Sequence, residues 1–272
     1  MNKIVLITGT SSGFGKAASR HLVSKQYRVY GTSRRATFPA AGEAATYPVM
    51  IPMDVRDDTS VQAAVDFILE REGRIDVAVN NAGLGVSGAI EDTTLDEAQL
   101  QMETNFFGIH RVCRAVLPTM RQQRSGLIIN IGSIAGRVAI PFQSFYSASK
   151  SAVASLTEAL RMEVRPFGVD VVLIEPGDFR TDFTANRVTV RQGHSGSVYS
   201  ERCSTAVSVM EKDERGGADP QELAGLLDRI IASASPRPRY VIGAFSEKLI
   251  VRLKPVLPAR VFERIIMTYY KI

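Results

Sequence analysis

Tryptophan is absent from the 272-residue chain, histidine occurs three times and cysteine twice. Cys113 and Cys203 are too few for a disulfide framework, and no Cys-x-x-Cys spacing offers a zinc site. His21, His110 and His194 are scattered without metal-ligand spacing, so no metal is expected. Like charges never run to five in a row, and the formal net charge of +5 does not by itself argue for a nucleic-acid partner. Long apolar runs are missing too. Ile4-Val5-Leu6-Ile7 gives way at once to Thr8-Gly9, too short for a signal-peptide core and far too short to cross a bilayer. The expectation is a cytoplasmic chain with reduced thiols. At 45% hydrophobic and 22% charged residues, the composition excludes collagen-like, disordered, disulfide-scaffold and membrane-spanning classes.

Short apolar runs alternate with longer helical stretches. Strands are expected at 3–8, 27–32, 46–53, 75–80, 126–131 and 169–175, and helices at 13–25, 59–72, 95–120 and 144–164. Val171-Val172-Leu173-Ile174 shows no polar alternation, which means burial on both faces, as in a parallel sheet covered by helices. The alternation predicts an α/β fold: a single Rossmann-like, doubly wound parallel sheet of about seven strands flanked by helices, with a C-terminal helical extension. The rhythm breaks after residue 175. Residues 176–219 are polar and weakly periodic and read as structureless, hence mobile or functional. A helix at 220–232, a strand at 239–243 and one or two short helices within 246–272 complete the chain.

The first strand runs into Thr8-Gly9-Thr10-Ser11-Ser12-Gly13-Phe14-Gly15, where a helix begins. A turn that brings backbone close to a pyrophosphate needs residues without Cβ at set places. The helix N-terminus adds free N–H groups and a favourable dipole. In this position the glycines point to a nucleotide, although a bare strand–helix turn uses them as well.

Tyr146 and Lys150 stand at i and i+4 and share one helix face. An ammonium beside a phenol favours the phenolate, so Lys150 is expected to pull Tyr146 below the usual tyrosine value of about 10 and make it an acid or base near neutral pH. Ser133, at a strand end, is placed to donate to a substrate carbonyl. Taken alone, a Tyr/Lys pair of this kind is usually a solvated surface pair. It is the joint occurrence with the glycine loop that points to catalysis.

The Gly-x-x-x-Gly-x-Gly spacing after Thr8 is followed in order by Asn80-Asn81-Ala82-Gly83, by Asn105 in Asn105-Phe106-Phe107-Gly108, and by Ser133. Tyr146-x-x-x-Lys150 comes next, with twelve residues between Ser133 and Tyr146, and then Pro176-Gly177 and Thr181. Over residues 3–182 this set resembles the short-chain dehydrogenase/reductase family, in the part that holds hydroxysteroid and retinol dehydrogenases and many bacterial oxidoreductases. The resemblance implies an oxidoreductase that interconverts a ketone or aldehyde and an alcohol by hydride transfer. It implies a catalytic set of Asn105, Ser133, Tyr146 and Lys150: the Tyr protonates the carbonyl, the Lys holds the nicotinamide ribose, and the Asn anchors a water in a proton relay. It further implies cofactor contacts by Gly9, Thr10, Ser11, Ser12, Gly13, Phe14, Gly15, Ser33, Arg34, Asp54, Val55, Asn81, Ala82, Gly83, Tyr146, Lys150, Pro176, Gly177, Phe179 and Thr181. A homodimer or homotetramer, paired through the 95–120 helix and the catalytic helix, is implied as well. A catalytically silent NADP(H)-binding regulator or scaffold of the same fold is the alternative, and the intact set of four stands against it.

The second strand ends in Gly31-Thr32-Ser33-Arg34-Arg35, with no acid for a ribose 2′-hydroxyl. Arg34 suits a 2′-phosphate and Ser33 can hydrogen-bond it, so NADP(H) is expected over NAD(H). For the substrate, Ala135, Gln143 and Phe183 are expected beside Ser133 and Tyr146, with Leu84, Val86, Phe145 and Phe179 near by. The lining is mostly apolar and suggests a carbonyl or alcohol on a hydrophobic skeleton, although several of these residues suit a core equally. The domain expectation is a catalytic domain over 1–245, with a substrate lid at 178–218, and a basic amphipathic extension at 246–272. Residues 236–272 carry eight basic and two acidic side chains, while the rest of the chain is close to neutral. That extension reads as a lid or interface segment first, and as a membrane-surface contact second.

Overall fold

The computed structural model describes residues 2–40, 47–191 and 196–272. His194, and Thr46 at the start of the third expected strand, lie outside the described residues. The chain runs β1 (Ile4–Ile7), α1 (Gly13–Ser24), β2 (Arg28–Ser33), β3 (Val49–Pro52), α2 (Asp58–Glu72), β4 (Val77–Asn80) and β5 (Val86–Ser87). It continues with α3 (Leu95–Met102), a π-turn (Glu103–Phe107), α4 (Gly108–Gln123), β6 (Gly126–Ile131), α5 (Ser144–Val164) and β7 (Val169–Pro176). The last elements are β8 (Val188–Thr189), α6 (Ser200–Gly216), α7 (Pro220–Ala232), β9 (Arg239–Ile242), α8 (Phe245–Leu253) and α9 (Ala259–Tyr270).

Seven strands form one sheet in the order β3-β2-β1-β4-β6-β7-β9, parallel throughout. The order reverses direction between β1 and β4, so their C-terminal ends open the crevice where such sheets take ligands. All four residues of β1 and of β4 are buried. Alternate side chains serve opposite layers: Val5 and Ile7 pack with Ala18, Leu22 and Leu227 of α1 and α7. Ile4 and Leu6 pack with Val61, Val116 and Val153 of α2, α4 and α5. Truncating a side chain as deeply buried as Leu22 to Ala would cost about 2–5 kcal/mol.

Local chemistry sets the helix ends. Asp57 caps α2 by accepting the Ser60 N–H, and Gly73 closes it at φ 68°. Thr94 and Glu97 form a reciprocal capping box on α3. Two expectations need correction. The 95–120 stretch is not one helix: a π-turn divides it, and α4 runs on to Gln123. The extra residue of such a turn re-aims side chains, and Asn105 within it is fully buried. Residues 176–219 are not structureless: they contain the 17-residue α6. Its period is weak because only Ala206 and Met210 are buried, one turn apart. A two-residue parallel ladder between β5 and β8, too short to leave a pattern, ties this stretch back to the body. In the C-terminal extension, Val251 and Phe262 pack with Val138, joined by Ile134, Ile250, Leu257 and Ile266.

Candidate active site

The ends of β1 and β4 are tied by side chains. Thr8 Oγ1 accepts the backbone N–H groups of Asn81 and Ala82, both at 2.9 Å. Asn81 Nδ2 donates back to the carbonyls of Thr8 at 2.9 Å and Gly9 at 3.0 Å. Gly9 has φ +69°, and a Cβ there would lie 2.9 Å from Ala82 Cα. At Gly15 a Cβ would fall on the Gly9 carbonyl oxygen. Gly83 lies nearby, with Asn105 Oδ1 3.3 Å from where its Cβ would be. The turn is therefore closed to larger residues for steric reasons.

Thr10 is buried and hydrogen-bonds Thr32, Ser11 is exposed, and Ser12 at the N-cap of α1 makes no side-chain cap bond. The first turn of α1 holds no acid of its own. Instead the Asp182 carboxylate, from the segment after β7, accepts the Gly13 N–H at 3.4 Å. Negative oxygen is thus accommodated at this helix N-terminus, as its dipole favours. Gly13 also faces Thr181, 3.3 Å from where its Cβ would be, and Phe14 stacks edge-on against buried Phe179 with centroids 5.0 Å apart. A cleft of about 690 Å³ runs alongside, between this turn, Arg180–Ala185 and the C-terminal part of α6. The Cβ-free cradle and a helix start that already takes a carboxylate oxygen fit a dinucleotide pyrophosphate.

At the end of β2, Arg34 is exposed and Ser33 Oγ accepts the Arg35 N–H at 3.2 Å. Asp54 is held below the ordinary carboxylate range, first by its hydrogen bond from Arg56 and more weakly by the charges of Arg56 and Arg34. Val55 is buried in the core and packs against Gly108.

Ser133 follows β6 and caps a short turn: its Oγ accepts the Ala135 N–H at 3.0 Å and donates to the Pro176 carbonyl at 3.4 Å. Ser133 is near enough to Tyr146 for its hydroxyl to favour the phenolate. Lys150 Nζ lies 5.7 Å from the Tyr146 ring centroid and donates to the Ile131 carbonyl at 2.9 Å. Asn105 holds both backbone groups of Leu84, accepting its N–H at 2.9 Å and donating to its carbonyl at 3.0 Å. The same amide donates to Ser149 Oγ at 3.2 Å, next in the chain to Lys150. The four expected residues are therefore gathered at the C-terminal edge of β4 and β6.

One expectation about them is wrong. Tyr146 is not pulled down: burial pushes it up to about 12 against the opposing influence of Ser133. Lys150 is pushed down to about 8 by burial. Burial is the largest influence on both groups.

Beside Tyr146, Phe183 places its ring centroid 5.5 Å away and packs on Gly85. Ala135 is buried, and Gln143 is buried with its Nε2 making no hydrogen bond among the described residues. Phe145 is half-buried, and Val86 is buried in β5. Two features escaped the sequence. Arg187, almost fully buried, pairs with Glu214 of α6 and lies 5.9 Å from the Phe183 ring centroid. Glu247 of α8 accepts the Asp178 N–H at 2.6 Å and fills the space beside Gly177, whose N–H bonds the Ile242 carbonyl. Partners 27 and 69 residues apart leave no spacing signal.

Residues 3–192 match the family model described as short chain dehydrogenase. The chain is 42% identical over 270 residues to a 3-ketodihydrosphingosine reductase of Bacteroides thetaiotaomicron, covering 99% of this chain and 98% of that protein. A short-chain dehydrogenase from Streptomyces avermitilis has a similar solved structure, with TM-score 0.80, 31% identity, and coverage of 99% of this chain and 96% of that one. A short-chain dehydrogenase/reductase of Burkholderia phymatum, solved in complex with NAD, matches with TM-score 0.80 and 26% identity over 94% of this chain and 93% of that one.

Proposed function

The chain belongs to the short-chain dehydrogenase/reductase family of oxidoreductases, and from that premise we propose that it is an NADP(H)-dependent reductase of a ketone on a long apolar chain, working through Tyr146. The observation that carries this reading is the convergence of four side chains beside the glycine cradle: Ser133 at the end of β6, Tyr146 and Lys150 one turn apart on α5, and Asn105 bonded to Leu84 and to Ser149. A bound nicotinamide supplies or accepts the hydride. Ser133 orients the substrate oxygen and donates to it as negative charge develops there. Tyr146, held protonated by burial, gives its proton to that oxygen. Lys150 lies on the same helix face and serves the cofactor ribose, while Asn105 links the Leu84 carbonyl and Ser149 into one polar file toward it. The exposed Arg34 is assigned to a 2′-phosphate.

The substrate assignment draws on the Bacteroides relative, which matches over nearly the whole of both chains. The apolar surfaces of Phe183, Ala135 and Val86 suit an alkyl chain. Residues 178–218 are read as the lid over that chain, and the protein as a homodimer or homotetramer. Following NADPH absorbance with 3-ketodihydrosphingosine and with a short-chain ketone tests the reading. Turnover of the long-chain ketone, and far slower turnover of the short one, is expected. No turnover of either with NADPH or NADH rejects it.

A further inference from the structure

α8 and α9 each present two apolar stripes, of which only one is used within the chain. Inward, Val251 and Phe262 are buried, and Ile250 and Ile266 pack against them. Outward on α8, Phe245, Leu249 and Leu253 follow one another at i, i+4 and i+8, and Phe245 is 78% exposed. Between the helices Val256 is 73% exposed, and on α9 Val261 and Ile265 stand one turn apart and are exposed as well. The inner stripe already holds the helices to the body, so packing gives no reason for the outer one.

The charge on this segment is mainly positive. Lys248, Arg252, Arg260 and Arg264 stand among the outer apolar residues, and none of them forms an ion pair among the described residues. Of its two acids, Glu247 is turned inward onto Asp178. Glu263 alone is exposed.

We propose that α8 and α9 dock the protein on an anionic lipid surface, with the outer apolar stripes entering the acyl boundary and the cations meeting the headgroups. An apolar stripe edged by unpaired cations is the pattern of a helix lying in an interface. No helix among the described residues is long and apolar enough to cross a membrane, so the segment lies on the surface. A second copy of the chain is the poorer occupant, because this strongly basic segment would face its own charge. A nucleic-acid backbone would satisfy the cations and leave Phe245 and Val256 in water. The inference stands on these two helices and does not depend on the assigned substrate or on turnover.

Co-sedimentation of the full chain tests it, with vesicles of phosphatidylcholine alone and of equal parts phosphatidylcholine and phosphatidylglycerol. Binding to the mixed vesicles, little to phosphatidylcholine alone, and release on raising salt from about 0.1 to 1 M are expected. The triple variant Arg252→Gln/Arg260→Gln/Arg264→Gln should bind about a hundredfold more weakly. Phe245→Ser/Leu249→Ser/Val256→Ser should also lose binding, with circular-dichroism melting to check that it is folded. Equal binding to both vesicle types, undiminished binding by either variant, or no binding at all overturns the proposal. So does a larger assembly by light scattering that the serine variant abolishes while vesicles pellet nothing, which would make this face a contact between copies.

Discussion

Lys150 Nζ lies 5.7 Å from the centroid of the Tyr146 ring and gives its hydrogen bond to the Ile131 carbonyl. The pair is thus a buried lysine near an aromatic ring, with a hydrogen bond directed to the backbone. Burial lowers Lys150 from 10.5 to about 8. Below about pH 8 the folded protein carries a buried cation. Between that pH and 10.5 the unfolded chain binds more protons at this site, so stability rises with pH across that window. Lys150→Met removes this dependence. The stability difference between the variant and wild type should shift in favour of wild type, by on the order of 3 kcal/mol, as pH climbs through that window. Urea unfolding at a series of pH values measures it, and a constant difference contradicts the buried cation.

Tyr146, held up to about 12, is a proton donor throughout the neutral range. Tyr146→Phe keeps the ring that packs on Phe183 and removes the hydroxyl that carries the proton. The turnover number for ketone reduction should fall by about 10²–10⁴, with thermal stability and NADPH binding little changed. An active Phe variant would move the acid elsewhere.

Gln143 makes a prediction in which stability and function part. Its buried Nε2 lacks a partner among the described residues, and such a donor costs about 1–3 kcal/mol. Gln143→Leu should therefore raise the unfolding midpoint. If the amide donates to the substrate, the same change raises KM by about tenfold, again the worth of one hydrogen bond. A variant that is more stable with an unaltered KM would return Gln143 to the protein interior and remove it from the substrate.

Cofactor choice rests on Arg34, exposed at the end of β2. Arg34→Ala should raise the KM for NADPH by about ten- to a hundredfold, the worth of a charge-assisted hydrogen bond, and leave that for NADH nearly as it was. Equal effects on both would mean that Arg34 does not read the 2′-phosphate.

The sheet was legible because a parallel strand covered on both faces must be apolar end to end, as Val171 to Ile174 are. The glycine loop was legible because Gly9 and Gly15 have no room for a Cβ. The π-turn at Asn105 was not, since one added residue inside a helix barely disturbs a 3.6-residue period. α6 was missed because a helix with two buried side chains carries little amphipathic signal. The direction of the Tyr146 shift was misread for a related reason: i, i+4 spacing reports proximity, whereas the shift is set by burial, which depends on the whole fold.

Glu247 joins the extension to the loop after β7, and that joint is sensitive to pH. Its carboxylate accepts the Asp178 N–H and caps α8 at Ala244. Burial, and then the adjacent Glu247 charge, raise Asp178 well above the ordinary carboxylate range. A carboxyl raised in the fold binds more protons there than in the unfolded chain, so stability declines as pH rises from the carboxylate range toward neutrality. Glu247→Gln keeps an amide oxygen for the Asp178 N–H and removes the like charge. The decline should flatten, and the gain over wild type should be larger at pH 7.5 than at pH 5. Thermal melts at those two values decide it. A gain that shrinks with rising pH would mean that Glu247 steadies the extension through its charge, and that its contact with Asp178 is attractive at neutral pH.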